Sequence, residues 1–339
     1  MPPTLKAREL NRALLARQGL LERTERSIPE MLDAMGTLQA QYAPSMYVGL
    51  WSRLAGFERD SLTRALQERE VVQATLMRVT IHLCSRADYW PLTLPVRAAR
   101  RTWWSRATKG PSDVEMEAAA ETLRAALREG PLRKKAIDEL LGKPVAHGIG
   151  LWVDMVRVPP SGTWERRRAD LYGLAEEWVP RPPIDPEAAL DHLVTRYLTG
   201  FGPAAKAEIA NWAGMTAKDV EPALGRLELR RFAAEDGTEL LDLPDLPLPD
   251  ADTSAPVRFL GTWDACLLVH ARRALILPEA HRPRIFNTKM PQSVGTFLVD
   301  GAVAGAWRPD GTIEPFADLS AKHRKQVEAE AARLAAFSA

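Results

Sequence analysis

Residues 32–54, LDAMGTLQAQYAPSMYVGLWSRL, decide how the first third of this 339-residue chain is read. Just upstream, Ser27 and Glu30 have the spacing of a capping box, which predicts a helix from Ile28 to about Leu38 with Met31, Leu32, Met35 and Leu38 on its buried side. Gln39 and Gln41 follow, two positions apart. On a helix that spacing splays two side chains by about 200°, whereas an extended segment aims both the same way. Pro44 favours the extended geometry, because it disfavours helix at Ala43 and marks a helix that ended shortly before. Both amides are therefore expected to leave the helix on one side, exposed in a concave basic surface. Taken without its surroundings, the triplet would be two solvated glutamines in a loop.

Outward from this stretch, helices are expected near 46–57 and 61–69, then strands at 71–77 and 80–85. Arg78, Thr80 and His82 alternate with Val79, Ile81 and Leu83, so a strand here would carry one polar and one apolar face. Helices closed by a hairpin outline a first unit, residues 1–110. A second unit, 111–180, opens on the Ser112/Glu115 capping box, with a helix to Glu129 and further helices at 132–141 and 148–158. A third, 181–235, opens with Asp185 as N-cap and Pro186 at the first helical position, and places a candidate recognition helix between Asp219 and Arg231. Residues 236–255 read as an acidic linker, since Glu235 to Asp252 holds seven acids, three prolines and no base. In 256–339, strands are expected at 257–260, 266–270, 275–277, 295–299 and 303–307, with Asp300-Gly301 as a hairpin turn and a last helix at 324–337. The expected fold is mainly α with β: tandem winged-helix units followed by a small β-barrel-like C-terminal domain.

Composition places the chain among folded proteins, with 46% hydrophobic and 26% charged residues. No apolar run reaches the ~18 residues of a membrane span, so a cytoplasmic protein without a membrane partner is expected. Cys84 and Cys266 lack metal-ligand spacing, and His82 has no second His or Cys at useful distance. Neither metal nor cofactor is expected. The net charge of +1 conceals a segregation, because residues 1–110 carry 17 Lys and Arg against 10 Asp and Glu, and the remainder 28 against 34. Arg97, Arg100, Arg101, Arg106 and Lys109 form a run without an acid, which reads as phosphate contacts. Trp103-Trp104 inside it would stack on a base or, more commonly, pack at a domain junction. Residues 281–292, HRPRIFNTKMPQ, carry Arg282, Arg284 and Lys289 and read as a loop touching DNA or as a flexible connection. Phosphate-loop, dinucleotide and H-E-x-x-H patterns are absent.

Segments spread along the chain carry a family resemblance. They are Leu10–Gln18, the Gln39-Ala40-Gln41 triplet, Leu76–Leu83, Trp164 with Tyr172 and Trp178, Phe201-Gly202-Pro203-Ala204, Ala210–Gly214, Trp263-Asp264, Leu298–Gly301 and Gly305-Ala306-Trp307. In this order, over roughly residues 5 to 335, the chain resembles the AlkZ/YcaQ-like winged-helix DNA glycosylases. The resemblance implies that Gln39 and Gln41 are catalytic, that the polar face of Arg78, Thr80 and His82 borders the DNA near them, and that Gln41 in place of aspartate puts the chain on the AlkZ-like branch. It also implies cationic N7-alkylguanine lesions in double-stranded DNA as substrates, with unhooking of interstrand crosslinks as an extension, by a monomer. The chemistry agrees, since a glutamine amide is no base but can orient a water through its oxygen and its NH2. Ordinary glycoside hydrolysis uses two carboxylates. A purine alkylated at N7 already carries the charge that makes it leave, so positioning water suffices. The rival class is a non-catalytic winged-helix DNA-binding protein or transcription regulator.

Overall fold

The computed structural model describes residues 2–268, 273–286 and 294–339. The helix Ile28–Met35 begins as expected: Ser27 Oγ accepts from the Glu30 N–H, and the Glu30 carboxylate accepts from the Ser27 N–H at 2.8 Å. It ends three residues before the expected position, because Gly36 takes the left-handed conformation at φ 73° and closes the last turn. Leu38–Gln39 is then a short strand, antiparallel to Ile81–Ser85 with Leu38 opposite Leu83 and Gln39 opposite His82. The next helix, Ala43–Trp51, starts earlier than the expected residue 46. Pro44 lies in its first turn, where a missing N–H costs nothing, so Ala43 is helical after all.

Three sheets organise the described residues. The first has six strands in the order Leu38–Gln39, Ile81–Ser85, Val71–Thr75, Met155–Arg157, Leu171–Leu174 and Leu132–Arg133, every neighbouring pair antiparallel. Strands from either side of residue 110 thus share one sheet. The expected helix at 148–158 is replaced by a 3-10 turn, Ile149–Leu151, and by the strand Met155–Arg157, whose buried Val156 pairs with Ala74. The helix expected at 132–141 keeps Lys134–Leu141 and gives its first two residues to the sheet edge.

The second sheet joins the chain's beginning to its middle: Thr4–Leu5 runs parallel to Arg230–Ala234, which pairs with Glu239–Asp242. The acidic stretch therefore contributes a strand, and its Asp242 is buried in a two-pronged ion pair with Arg17 at 2.6 and 2.9 Å. The expected recognition helix runs from Ala217 to Arg226 and stops before that strand.

The third sheet corrects the barrel. Arg258–Leu260, Gly295–Val299, Ala302–Trp307 and Ile313–Pro315 form an open four-stranded antiparallel sheet, and no closed barrel exists among the described residues. The Asp300-Gly301 hairpin turn is as expected, both residues at positive φ. The expected strand at 266–270 begins instead as a helical turn, Ala265–Leu268, and the one at 275–277 as a 3-10 turn, Arg273–Leu275. Asp264 accounts for the first, because its carboxylate accepts the Cys266 N–H at 3.0 Å and turns the backbone. The described molecule is a mixed α/β fold.

Candidate active site

Gln39 ends an edge strand and Gln41 follows in a bend, so neither is helical. Directly opposed residues of an antiparallel pair share a sheet face, which puts the Gln39 side chain beside that of His82. Gln39 is 6% exposed, and its amide makes no side-chain hydrogen bond among the described residues. Gln41 is exposed. Between them the Ala40 N–H donates to the Ile81 carbonyl at 2.8 Å, which fixes the turn to the neighbouring strand. The expected exposure therefore holds for Gln41, while Gln39 lies mostly inside.

His82 is 2% exposed, and burial, followed by the charge of Arg78, lowers its pKa to about 3. It is neutral at physiological pH. Its Nδ1 lies 3.0 Å from the Thr80 carbonyl, which can only accept, so Nδ1 carries the proton and Nε2 keeps the lone pair. Thr80 Oγ1 is itself occupied, donating to the Met77 carbonyl at 3.0 Å. Arg78 departs from the expected strand. It lies in the 3-10 turn Met77–Val79 with φ 51°, and its guanidinium donates to the Trp212 carbonyl. Burial lowers its pKa to about 10, which leaves it charged at neutral pH.

The basic run lies on the helix Tyr89–Ala107 except for Lys109 just beyond it, and three of its cations face the protein. Arg97 donates to Asp154. Arg100, 3% exposed, donates to the Thr75 carbonyl and lies 3.8 Å from Asp154. Arg101 donates to the Leu151 carbonyl at 3.1 Å and to Glu117 at 2.9 Å. These side chains tie the helix to the hairpin and to the segment after it. Arg106 and Lys109 are exposed. Lys289 lies outside the described residues.

Arg157 is a neighbour that the reading of 148–158 as helix concealed. Its Nη1 donates to the Ala40 carbonyl at 3.4 Å, placing a half-buried cation on the turn between the two glutamines. The alternation of Val156 with Met155 and Arg157 was the available signal, too short to outweigh the apolar run before it. Arg167 reaches the Tyr42 hydroxyl at 3.4 Å and lies 5.8 Å from the Trp164 ring, so a second cation, this one exposed, stands next to Gln41's successor. Among the described residues no group of three or more His, Cys, Asp or Glu could hold a metal ion, and no helix is long and apolar enough to cross a membrane.

A polar turn on a sheet edge, flanked by cations, is what the geometry offers, and comparison with known proteins gives it a class. The family model described as DNA glycosylase AlkZ-like matches residues 32–337. An interstrand DNA cross-link repair glycosylase of Streptomyces sahachiroi is 22% identical over 365 residues, which span 96% of this chain and 94% of that protein. The solved structure of the Streptomyces sahachiroi DNA glycosylase AlkZ superposes with a TM-score of 0.83 at 20% identity, over 99% of this chain and 97% of the other. The chain belongs to the AlkZ-like family of DNA glycosylases. It is by class an enzyme that cleaves N-glycosidic bonds in DNA.

Proposed function

We propose that this chain is a monofunctional glycosylase that releases cationic N7-alkylguanine from double-stranded DNA, with Gln39 and Gln41 holding the attacking water. The observation that carries this reading is the glutamine turn itself: the Gln39 amide opposite a neutral histidine and the exposed Gln41 two residues on, with no carboxylate in Gln39–Tyr42 or on the opposed strand Ile81–Ser85. A water bound to the Gln39 amide can donate to an acceptor on the same sheet face, and the free lone pair of His82 Nε2 is one. Arg157, on the Ala40 carbonyl, keeps the two glutamines in register and is a positioning residue. Without an acid to protonate the leaving base, the lesion must bring its own positive charge. Hydrolysis then needs only a placed nucleophile and an environment that tolerates oxocarbenium character.

The scaffold supports gripping duplex DNA. Three times along the chain, helices are followed by an antiparallel pair: Val71–Thr75 with Ile81–Ser85, Met155–Arg157 with Leu171–Leu174, and Arg230–Ala234 with Glu239–Asp242. We read these as three winged-helix units acting in one monomer. The name of the Streptomyces sahachiroi relative extends the reading to crosslinks, where the same cleavage on one strand would unhook the two. The test is release of N7-methylguanine from a duplex under single-turnover conditions. Free base with an intact abasic strand is expected, and sequence-specific binding without base release would overturn the reading.

A further inference from the structure

The helix Tyr89–Ala107 on one side, and the turn at Gly214 with the helix Ala217–Arg226 on the other, flank an open cleft of about 1040 Å³. On one wall stands Trp103, 53% exposed, while its neighbour Trp104 turns inward against Gly148, where an added Cβ would come within 2.5 Å of the indole. Arg106 lies on the same wall and Lys218 on the other, both exposed and without an ion pair among the described residues. The acid at the rim, Asp219, is already bound, accepting from the Thr216 N–H and hydroxyl at 2.8 and 2.7 Å. An exposed indole flanked by two cations that make no ion pair among the described residues offers what single-stranded nucleic acid binds: a face on which a base stacks, and charges for the phosphates either side.

The cleft adjoins the glutamine turn through one small element. The turn Met77–Val79 leads through Thr80 to Ile81, whose carbonyl holds Ala40. On its other side the Arg78 guanidinium grips the Trp212 carbonyl, and the residue's backbone packs so closely on Gly214 that a Cβ there would lie 3.1 Å from the Arg78 backbone nitrogen. Gly214 lines the cleft. A chain of direct contacts thus links the glutamine turn to the rim of the cleft.

We propose that the cleft binds a single-stranded stretch of the DNA beside the lesion, with an unpaired base stacked on Trp103 and flanking phosphates on Arg106 and Lys218. The proposal rests on the glycosylase reading for the origin of the strand, but its test needs no base release. Oligothymidylate of eight nucleotides is titrated against the full chain while tryptophan emission is followed. Quenching is expected in the parent. Trp103→Phe should bind with similar affinity and lose most of the quenching, and Trp103→Ala should bind about five- to hundredfold more weakly. The double variant Arg106→Ala/Lys218→Ala should lower the log–log salt slope by about 1.4, at roughly 0.7 per neutralised phosphate of a single strand. Binding by Trp103→Ala equal to the parent's would overturn the proposal, as would an unchanged salt slope in the double variant or equal competition by a blunt duplex. A parent that releases no N7-methylguanine yet shows Trp103-dependent quenching would sink the catalytic reading and leave the cleft standing.

Discussion

His82 is the residue whose environment most constrains the chemistry, since burial keeps the ring neutral while the Thr80 carbonyl dictates which nitrogen holds the proton. A consequence for stability follows from the direction of its shift. With a folded pKa of about 3 against an ordinary 6.5, the folded state binds the proton less readily than the unfolded chain. The stabilisation is fully present above 6.5 and is lost progressively as pH falls toward 3. Denaturant midpoints of the parent and His82→Gln should therefore converge between pH 7 and pH 4, the parent losing more. Parallel curves would show that His82 takes up its proton as readily in the folded state as in the unfolded chain. That Gln39 and Gln41 lie outside a helix was legible from local sequence. That Gln39 would lie inside, opposite a buried histidine, was not, because strand pairing between residues some 40 positions apart sets it.

At the scale of elements, the helix Tyr89–Ala107 shows that a basic run also serves the protein's own contacts. Arg97, Arg100 and Arg101 look like phosphate contacts in one dimension, yet each meets an acceptor of the protein itself, on Asp154, Thr75 or Leu151. Arg100→Ala is therefore expected to destabilise the fold by about 2 kcal/mol, as losing a buried charged hydrogen bond does, and to leave the salt dependence of DNA binding nearly unchanged. Chemical denaturation and binding titrations at several salt concentrations separate the two. A lower salt slope at undiminished stability would return Arg100 to the DNA surface. Helix starts were legible from the caps at Ser27, Ser112 and Asp185, because each cap closes within three residues, while the caps at Thr216 and Ser320 start helices two and three residues earlier than expected. The strand Met155–Arg157 and the turn at Ala265–Leu268 were not legible. The first is made a strand by Ala74 and Gly173 on either side, the second a turn by the Asp264 carboxylate.

Across the whole molecule, buried ion pairs bind distant parts of the chain into one unit. Arg53 forks onto Asp264 with both contacts at 2.9 Å, and Arg17 does the same with Asp242. Neither pair could be read from sequence, since more than 200 residues separate the partners. Asp264 is sealed beside Arg53 and shapes the turn after it. Asp264→Ala strands a buried guanidinium and should cost about 3–5 kcal/mol. Calorimetry should show a single lowered transition, and an unaltered melting profile would deny the pair its role. What the wider architecture leaves for catalysis is a turn without a carboxylate, on which the reading of the enzyme depends. The most direct measurement is single-turnover release from duplexes carrying N7-methylguanine or a neutral lesion such as 1,N6-ethenoadenine, by the parent, Gln39→Ala and Gln41→Ala. Release of the cationic base alone is predicted, falling on the order of a hundredfold in either variant while DNA affinity holds. Efficient release of the neutral base by the parent, or full activity with both glutamines replaced, would contradict it.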